Sequence, residues 1–186
     1  MVQLARHSFT VDEYNRMGEA GILPEGVRTE LIEGEIIEMV PIGSHHAGAV
    51  IRLNTLLSEG LNRRQAILAV QSPLVLSDRS QPEPDVCLLR PRADFYAEGH
   101  PTPGDVFLLI EVSDSSVGLD RSVKLPLYAR EAIPEVWLVD LTADAIEVYR
   151  QASEAGYAGR YLVKRGDSVS PAAFPNLTIA VNDILG

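Results

Sequence analysis

Two acids stand inside apolar runs that read as buried strands: Asp85 in Pro84-Asp85-Val86-Cys87-Leu88-Leu89, and Glu111 in the run from Val106 to Ser113. A carboxylate taken into low dielectric without a partner costs several kcal/mol, so each must lose its charge, meet a cation or bind a metal. Side chains alternate along a strand, which puts Asp85, Cys87 and Leu89 on one face, and Phe107, Leu109, Glu111 and Ser113 on one face of theirs. If the two strands are neighbours, both acids meet at one end of the sheet. Hard carboxylate oxygens, joined by water or by the backbone carbonyl of Val112, suit Mg²⁺ or Mn²⁺, which take one or two carboxylates plus a substrate phosphate. Such an ion polarises the phosphate and lowers the pKa of an attacking water. The competing reading is a structural pair, with Asp85 and Glu111 bridged to Arg or Lys.

The elements that must position these acids follow from local signals. Thr10-Val11-Asp12-Glu13 has the spacing of a capping box and opens a short docking helix toward Met17, broken by Gly18 and Gly21. Residues 28–40 alternate around Glu33-Gly34 and read as a hairpin, with Glu30 on one arm and Glu35 on the other. Val50, Leu53, Leu57 and Leu61 mark a long helix from Ser44 to Leu61. Residues 65–76 and 84–89 read as strands separated by a loop over Ser77–Pro82, and Val106–Ser113 as a central strand covered on both faces. A second helix is expected from Asp120 or Ser122, either of which could cap it, to Ala132; Pro126 must fall in its first turn or kink it. Strands at 134–141 and 145–151 flank the turn Thr142-Ala143-Asp144, and residues 159–167 add a last one. The pattern is a single α/β domain over residues 1–186, a mixed β-sheet flanked by α-helices.

Composition sets limits on function. The 186 residues carry a net charge of −10, the opposite of the basic footprint of a free-standing nucleic-acid binder. That balance does not exclude a local basic face, which Arg52, Arg63, Arg64, Arg90, Arg92, Arg121, Lys124 and Arg130 could build around a cleft. No uncharged apolar run is long enough for a membrane span, and Met1–Thr10 lacks the apolar core of a signal peptide, so a cytoplasmic protein is expected. The one cysteine, Cys87, reads as a packed thiol. Without a phosphate-cradling Gly-rich loop or Cys/His zinc spacing, a nucleotide-driven motor and a zinc enzyme are disfavoured. The adjacent pair His45-His46 lacks ligand spacing; His46 keeps register with Val50 and Leu53. Gln71 reads as a strand-edge hydrogen-bonding residue, with a supporting place beside the acids as the alternative, and Trp137 and Tyr149 read as core or subunit interface.

Pro84-Asp85, then Glu111-Val112-Ser113, then the run from Asp120 to Leu141 resemble the Uma2 family (DUF820), described as restriction endonucleases within the PD-(D/E)XK nuclease superfamily. The resemblance runs from Thr29–Ile36 to the tail Ser170–Leu177. It implies a restriction-endonuclease-like core and metal-dependent hydrolysis of a nucleic-acid phosphodiester. By position, Asp85 and Glu111 match the metal-binding acids, Glu30 matches the acid from the N-terminal part of the core, and His46 matches a histidine common in the family. Ser113 departs from the superfamily pattern, standing where its lysine belongs. A serine cannot supply positive charge to the reacting phosphate. The family's own spacing of Asp120-Arg121, Lys124 and Tyr128 points to Lys124 as the substitute, with Tyr128 one helical turn on.

The expected activity is therefore a Mg²⁺- or Mn²⁺-dependent endonuclease acting on nucleic acid, DNA first. Asp85 and Glu111 would hold the ion, metal-bound water would attack in line, Lys124 would stabilise the developing charge, and Glu30 would orient a water or a second ion. A homodimer is expected, because two symmetric sites cut two strands most simply. Two alternatives stay open: a noncatalytic binding or regulatory module that keeps the fold, favoured by Ser113 and the acidic pI, and a metal-dependent hydrolase of a smaller phosphoester.

Overall fold

The computed structural model describes residues 6–114 and 117–186; the first five residues of the N-terminal stretch and the pair Ser115-Ser116 lie outside it. The chain begins with helix α1, Val11–Glu19, capped as its sequence requires: the Thr10 hydroxyl accepts from the Glu13 N–H, and the Glu13 carboxylate accepts from the Thr10 N–H. It docks through Tyr14, whose hydroxyl lies 2.7 Å from the Thr29 carbonyl oxygen. Strands β1, Thr29–Ile32, and β2, Glu35–Glu38, form the expected antiparallel hairpin. At its turn Glu33 and Gly34 have φ of 50° and 80°, and a Cβ on Gly34 would lie 2.0 Å from the Ser8 hydroxyl, so glycine is required there on two counts. Helix α2, Ser44–Gly60, follows.

Six strands then build one mixed sheet: β3 (Ile67–Val70), β4 (Val86–Leu89), β5 (Val106–Ser113), β6 (Glu135–Asp140), β7 (Ala145–Ser153) and β8 (Gly156–Lys164), in that spatial order. All neighbours are antiparallel except β5 and β6, which run parallel and are joined by a helical crossover. That crossover comprises α3 (Val117–Leu119), a π turn over Asp120–Lys124 and α4 (Leu125–Arg130). Two short strands, β9 (Ser168–Val169) and β10 (Ile179–Ala180), pair beside the sheet, and α5, Val181–Leu185, closes the chain.

The sheet is covered on both faces. Ala49, Val50, Leu53 and Leu57 of α2 and Val181 and Ile184 of α5 pack on one face against Leu108, Ile110, Trp137 and Val139. Leu125, Leu127 and Tyr128 of α4 pack on the other, against Cys87, Leu109, Val136 and Leu138. No helix among the described residues is long and apolar enough to cross a membrane.

Three local expectations need correction. The strand expected over residues 65–76 stops at Val70: Gln71 has φ of 46°, and the chain turns so that Leu74 and Leu76 pack in the α4-side core instead. The second helix begins at Val117, ahead of both Asp120 and Ser122, and neither caps it. Pro126 has no N–H to give, and the helix meets that constraint by widening just before it, with the Leu125 N–H bonded to the Asp120 carbonyl five residues back. Finally, Phe107 does not share a face with Leu109 and Glu111. A β-bulge shifts the register between Leu88 and Leu89, so that Leu89 faces Val106 and Phe107 turns to the α2 side.

Candidate active site at the end of the central strands

Beyond the bulge, parity holds. Val86 pairs with Ile110 and Cys87 with Leu109, and continuing that register by one residue sets Asp85 beside Glu111. Both acids are buried, at 8% and 4% exposure, and both line a cavity of about 270 Å³ at the end of the sheet. The Val112 backbone, His46, Asp120 and Lys124 line it too, as do Glu83 and Arg28, which pair with each other at 3.0 Å.

Each acid is fixed by a different set of donors. Asp85 Oδ2 accepts from the Val112 N–H at 2.9 Å and lies 3.0 Å from His46 Nε2, while Oδ1 accepts from the Gln71 side chain at 3.2 Å. The left-handed turn at Gln71, the feature that ends β3, is what brings this amide to Asp85. Glu111 Oε1 accepts from Lys124 Nζ at 3.2 Å and from the Tyr128 hydroxyl at 2.5 Å. Lys124 Nζ also lies 3.0 Å from Glu30, and the same Glu30 carboxylate accepts from the Glu83 N–H at 2.8 Å. One ammonium thus bridges an acid of the N-terminal hairpin and an acid of the central strand. Ser113, one step along the Glu111 face, donates its hydroxyl to Asp120.

The electrostatics follow from burial and shared charge. Burial pushes the Glu111 carboxyl up, and Asp85, Asp120 and Glu30 add to this, against the pull of Lys124. Burial works against the Lys124 ammonium, but Glu111, Glu30 and Asp120 outweigh it and raise its pKa, so it stays charged. Desolvation and the neighbouring acids raise the Tyr128 phenol, which remains a proton donor to Glu111. Burial lowers His46, yet its bond to Asp85 and that carboxylate's charge more than reverse this. Burial holds the Cys87 thiol up, in keeping with a packed, inert side chain.

A family model for Uma2, described as "Putative restriction endonuclease", matches residues 11–182. The chain belongs to the Uma2 family. A DUF820 protein from Anabaena variabilis, described with its crystal structure as a "putative nuclease", has the same fold at a TM-score of 0.72 and 18% sequence identity, over 95% of this chain and 97% of that one. No protein of curated function matches the sequence.

In this Uma2 chain, the donors at the cavity fit one kind of ion. Asp85, Glu111 and the Val112 carbonyl could supply hard oxygens, and the Glu111 bonds to Lys124 and Tyr128 both use Oε1 rather than Oε2. Among the described residues no three His, Cys, Asp or Glu side chains converge as a ready-made metal cage. That set suits Mg²⁺ or Mn²⁺, which keep several waters, and does not suit zinc.

The structure brings Glu30, His46, Gln71, Asp85, Glu111, Lys124 and Tyr128 into one connected group, with Ser113 beside it. His45 is exposed and takes no part. Asp120, in sequence a candidate helix cap and part of the family spacing but not a candidate site residue, is a buried wall of the cavity, and its spacing of four from Lys124 and eight from Tyr128 is the signal that points to it. The eight cations that could have built a basic face do not gather around the cavity: of them only Lys124 lines it. Arg52 caps α5 through the carbonyls of Ile184 and Leu185, Arg90 lies over the Phe107 ring, Arg92 pairs with Asp94, Arg121 with Asp140 and Glu147, and Arg130 with Glu33. Arg63 and Arg64 stand at the opposite end of the sheet.

Proposed function

We propose that this chain is a Mg²⁺- or Mn²⁺-dependent endonuclease that hydrolyses nucleic-acid phosphodiesters, with DNA as the first substrate to test. The observation that carries the reading is the sharing of one ammonium, Lys124, by two buried acids, Glu30 and Glu111, beside a cavity that Lys124, Glu111 and Asp85 line. Such a site holds more negative than positive charge, which favours a divalent cation. Asp85, Glu111 and the Val112 carbonyl would hold the ion, which when bound would polarise the phosphate and lower the pKa of a water.

The remaining roles belong to the chain itself. Lys124 keeps its proton and brings positive charge to the cavity wall, where charge develops on the phosphate oxygens. Glu30, anchored by the Glu83 N–H, aims that ammonium. Tyr128 fixes the Glu111 carboxylate, and His46 with Gln71 fixes Asp85. Cutting both strands of a duplex calls for two such sites, supplied most simply by a homodimer.

The same Lys124 geometry also favours a second reading. An ammonium already engaged by two acids and 3% exposed is what a fold-retaining binding module would keep for structure alone. Cleavage of supercoiled plasmid and of oligonucleotides in Mg²⁺ or Mn²⁺ separates the two, with EDTA and Asp85→Ala as controls. Metal-dependent nicking that disappears in Asp85→Ala is the expected result. No nicking, together with no Mn²⁺ binding by calorimetry, would establish the binding module instead.

A further inference from the structure

At the end of the sheet opposite the cavity, two rigid turns present a different chemistry. Residues 62–65 form a turn held by Asn62, whose side chain accepts from the Arg64 N–H at 3.0 Å and donates to Gln65 at 2.5 Å. Arg63 and Arg64 project from it, both exposed, and neither guanidinium has an ion pair or side-chain hydrogen bond among the described residues. On a chain of net charge −10, in which most cations are answered by acids, two adjacent unanswered guanidiniums are a local reversal of sign.

Facing them is the loop after β4. Phe95 and Tyr96 have φ of 52° and 66°, two successive non-glycine residues in the left-handed region, a conformation costing on the order of 1 kcal/mol each. The loop is braced to hold it: Arg92 forks onto Asp94 at 2.6 and 2.7 Å and lies 4.1 Å from the Tyr96 ring centre, and the Tyr96 hydroxyl donates to the Arg90 carbonyl at 2.8 Å. What this bracing presents is Phe95, 59% exposed, sharing an open hollow of about 550 Å³ with Arg63 and Arg64. A phenyl ring fixed outward beside free guanidiniums is the combination that binds unpaired bases, by stacking and by phosphate contact.

We propose that Phe95, Arg63 and Arg64 form an exosite for a single-stranded nucleic-acid segment. The proposal deepens the nuclease reading and rests on it for the class of ligand. From Asp85 to Arg90 the β4 strand carries the chain about 17 Å, the span of roughly five phosphates on one strand of B-form DNA. A strand leaving the cavity along the β3–β4 edge would reach the ring.

Binding measured in EDTA tests this apart from cleavage. Fluorescence anisotropy with a labelled single-stranded oligonucleotide, DNA or RNA, is titrated over a salt series. Phe95→Ala is expected to weaken binding about tenfold. The double variant R63E/R64E is expected to weaken it further and to lower the magnitude of the log–log salt slope by about 1.4. The same losses are expected in an Asp85→Ala background, so a failed nuclease reading and a failed exosite give different results. Among the described residues these side chains make no ion pair or side-chain hydrogen bond, so circular dichroism melts should stay close to wild type. The proposal is overturned if wild type does not bind, if both variants bind like wild type, or if Phe95→Ala has no effect while R63E/R64E does, which would leave only nonspecific charge.

Discussion

Two groups of buried acids, one where the N-terminal hairpin meets the end of the six-stranded sheet and one on β6 and β7, have been settled in opposite ways. At the cavity, Glu30, Asp85 and Glu111 are 1%, 8% and 4% exposed; on β6 and β7, Glu135, Asp140 and Glu147 are 1%, 3% and 2% exposed. Burial therefore does not distinguish them, but their partners do. Glu135 accepts from Arg150 and from the Trp137 indole, while Arg121 bonds Asp140 and Glu147, and Arg160 bonds Glu147. Three acids meet three permanent cations. Among the described residues, Glu30 and Glu111 share the one ammonium of Lys124, and Asp85 has only His46, a conditional cation, as its ion-pair partner. The pKa shifts follow. Burial raises Asp140 and Glu147, but hydrogen bonds and arginine charge outweigh it and hold both below the ordinary carboxylate range; at Glu111 burial prevails and the shift is upward. One group is balanced for stability, and the other is left short of positive charge beside an open cavity.

Neutralising one acid in each group should separate the two. Glu111→Gln keeps the side chain's shape and removes a buried charge. Cleavage should fall about a thousandfold while the melting temperature holds or rises, as thermal melts and plasmid assays on one preparation would show. A clear loss of stability in Glu111→Gln would make the cavity group structural and end the contrast.

Lys124→Met tests the shared cation. Glu30 and Glu111 would then lie buried without it, a cost of about 3–5 kcal/mol, read as a lower urea midpoint. Added Mn²⁺ should restore more stability to this variant than to wild type, with turnover still lost. Equal effects of Mn²⁺ on both proteins would break the link between charge deficit and metal.

Glu147→Gln should give the smallest and cleanest difference. Its arginine partners are partly exposed and can turn to water, so the loss should be about 1–2 kcal/mol. Because the folded-state values of Asp140 and Glu147 are depressed, their contribution is fully present above the ordinary carboxylate range and is lost as pH falls through the folded values. Melting temperature recorded from about pH 6 to about pH 3 should fall less steeply in Glu147→Gln than in wild type. Parallel slopes would mean that the arginine cluster does not stabilise these carboxylates.

What could be read in the sequence was whatever local chemistry decides. The Thr10 capping box, the Glu33-Gly34 turn, the helix from Ser44 and the facing of Asp85 and Glu111 each follow from a few adjacent residues or from strand parity. The misreadings share a different origin. Phe107 changes face because of a register shift against β4, Gln71 ends its strand to reach Asp85, and the Asp120 turn widens ahead of Pro126 over a strand it must match. The fate of the arginines has the same origin: scattered along the chain, they give no sign of which distant acid will claim each one. Glu30 and Lys124, 94 residues apart, met only because the hairpin and the crossover helix close on the same strand end.

A π turn is an α-helix carrying one residue too many, a defect that persists where its change of phase is useful. Here the extra residue lies between Asp120, which holds Ser113, and the Lys124–Tyr128 pair, which holds Glu111. Removing it would rewind the segment and turn one set of contacts about 100° away from the other. The widened turn therefore works as a fixed offset between two gears, and the cavity wall depends on a count of residues as much as on their identity.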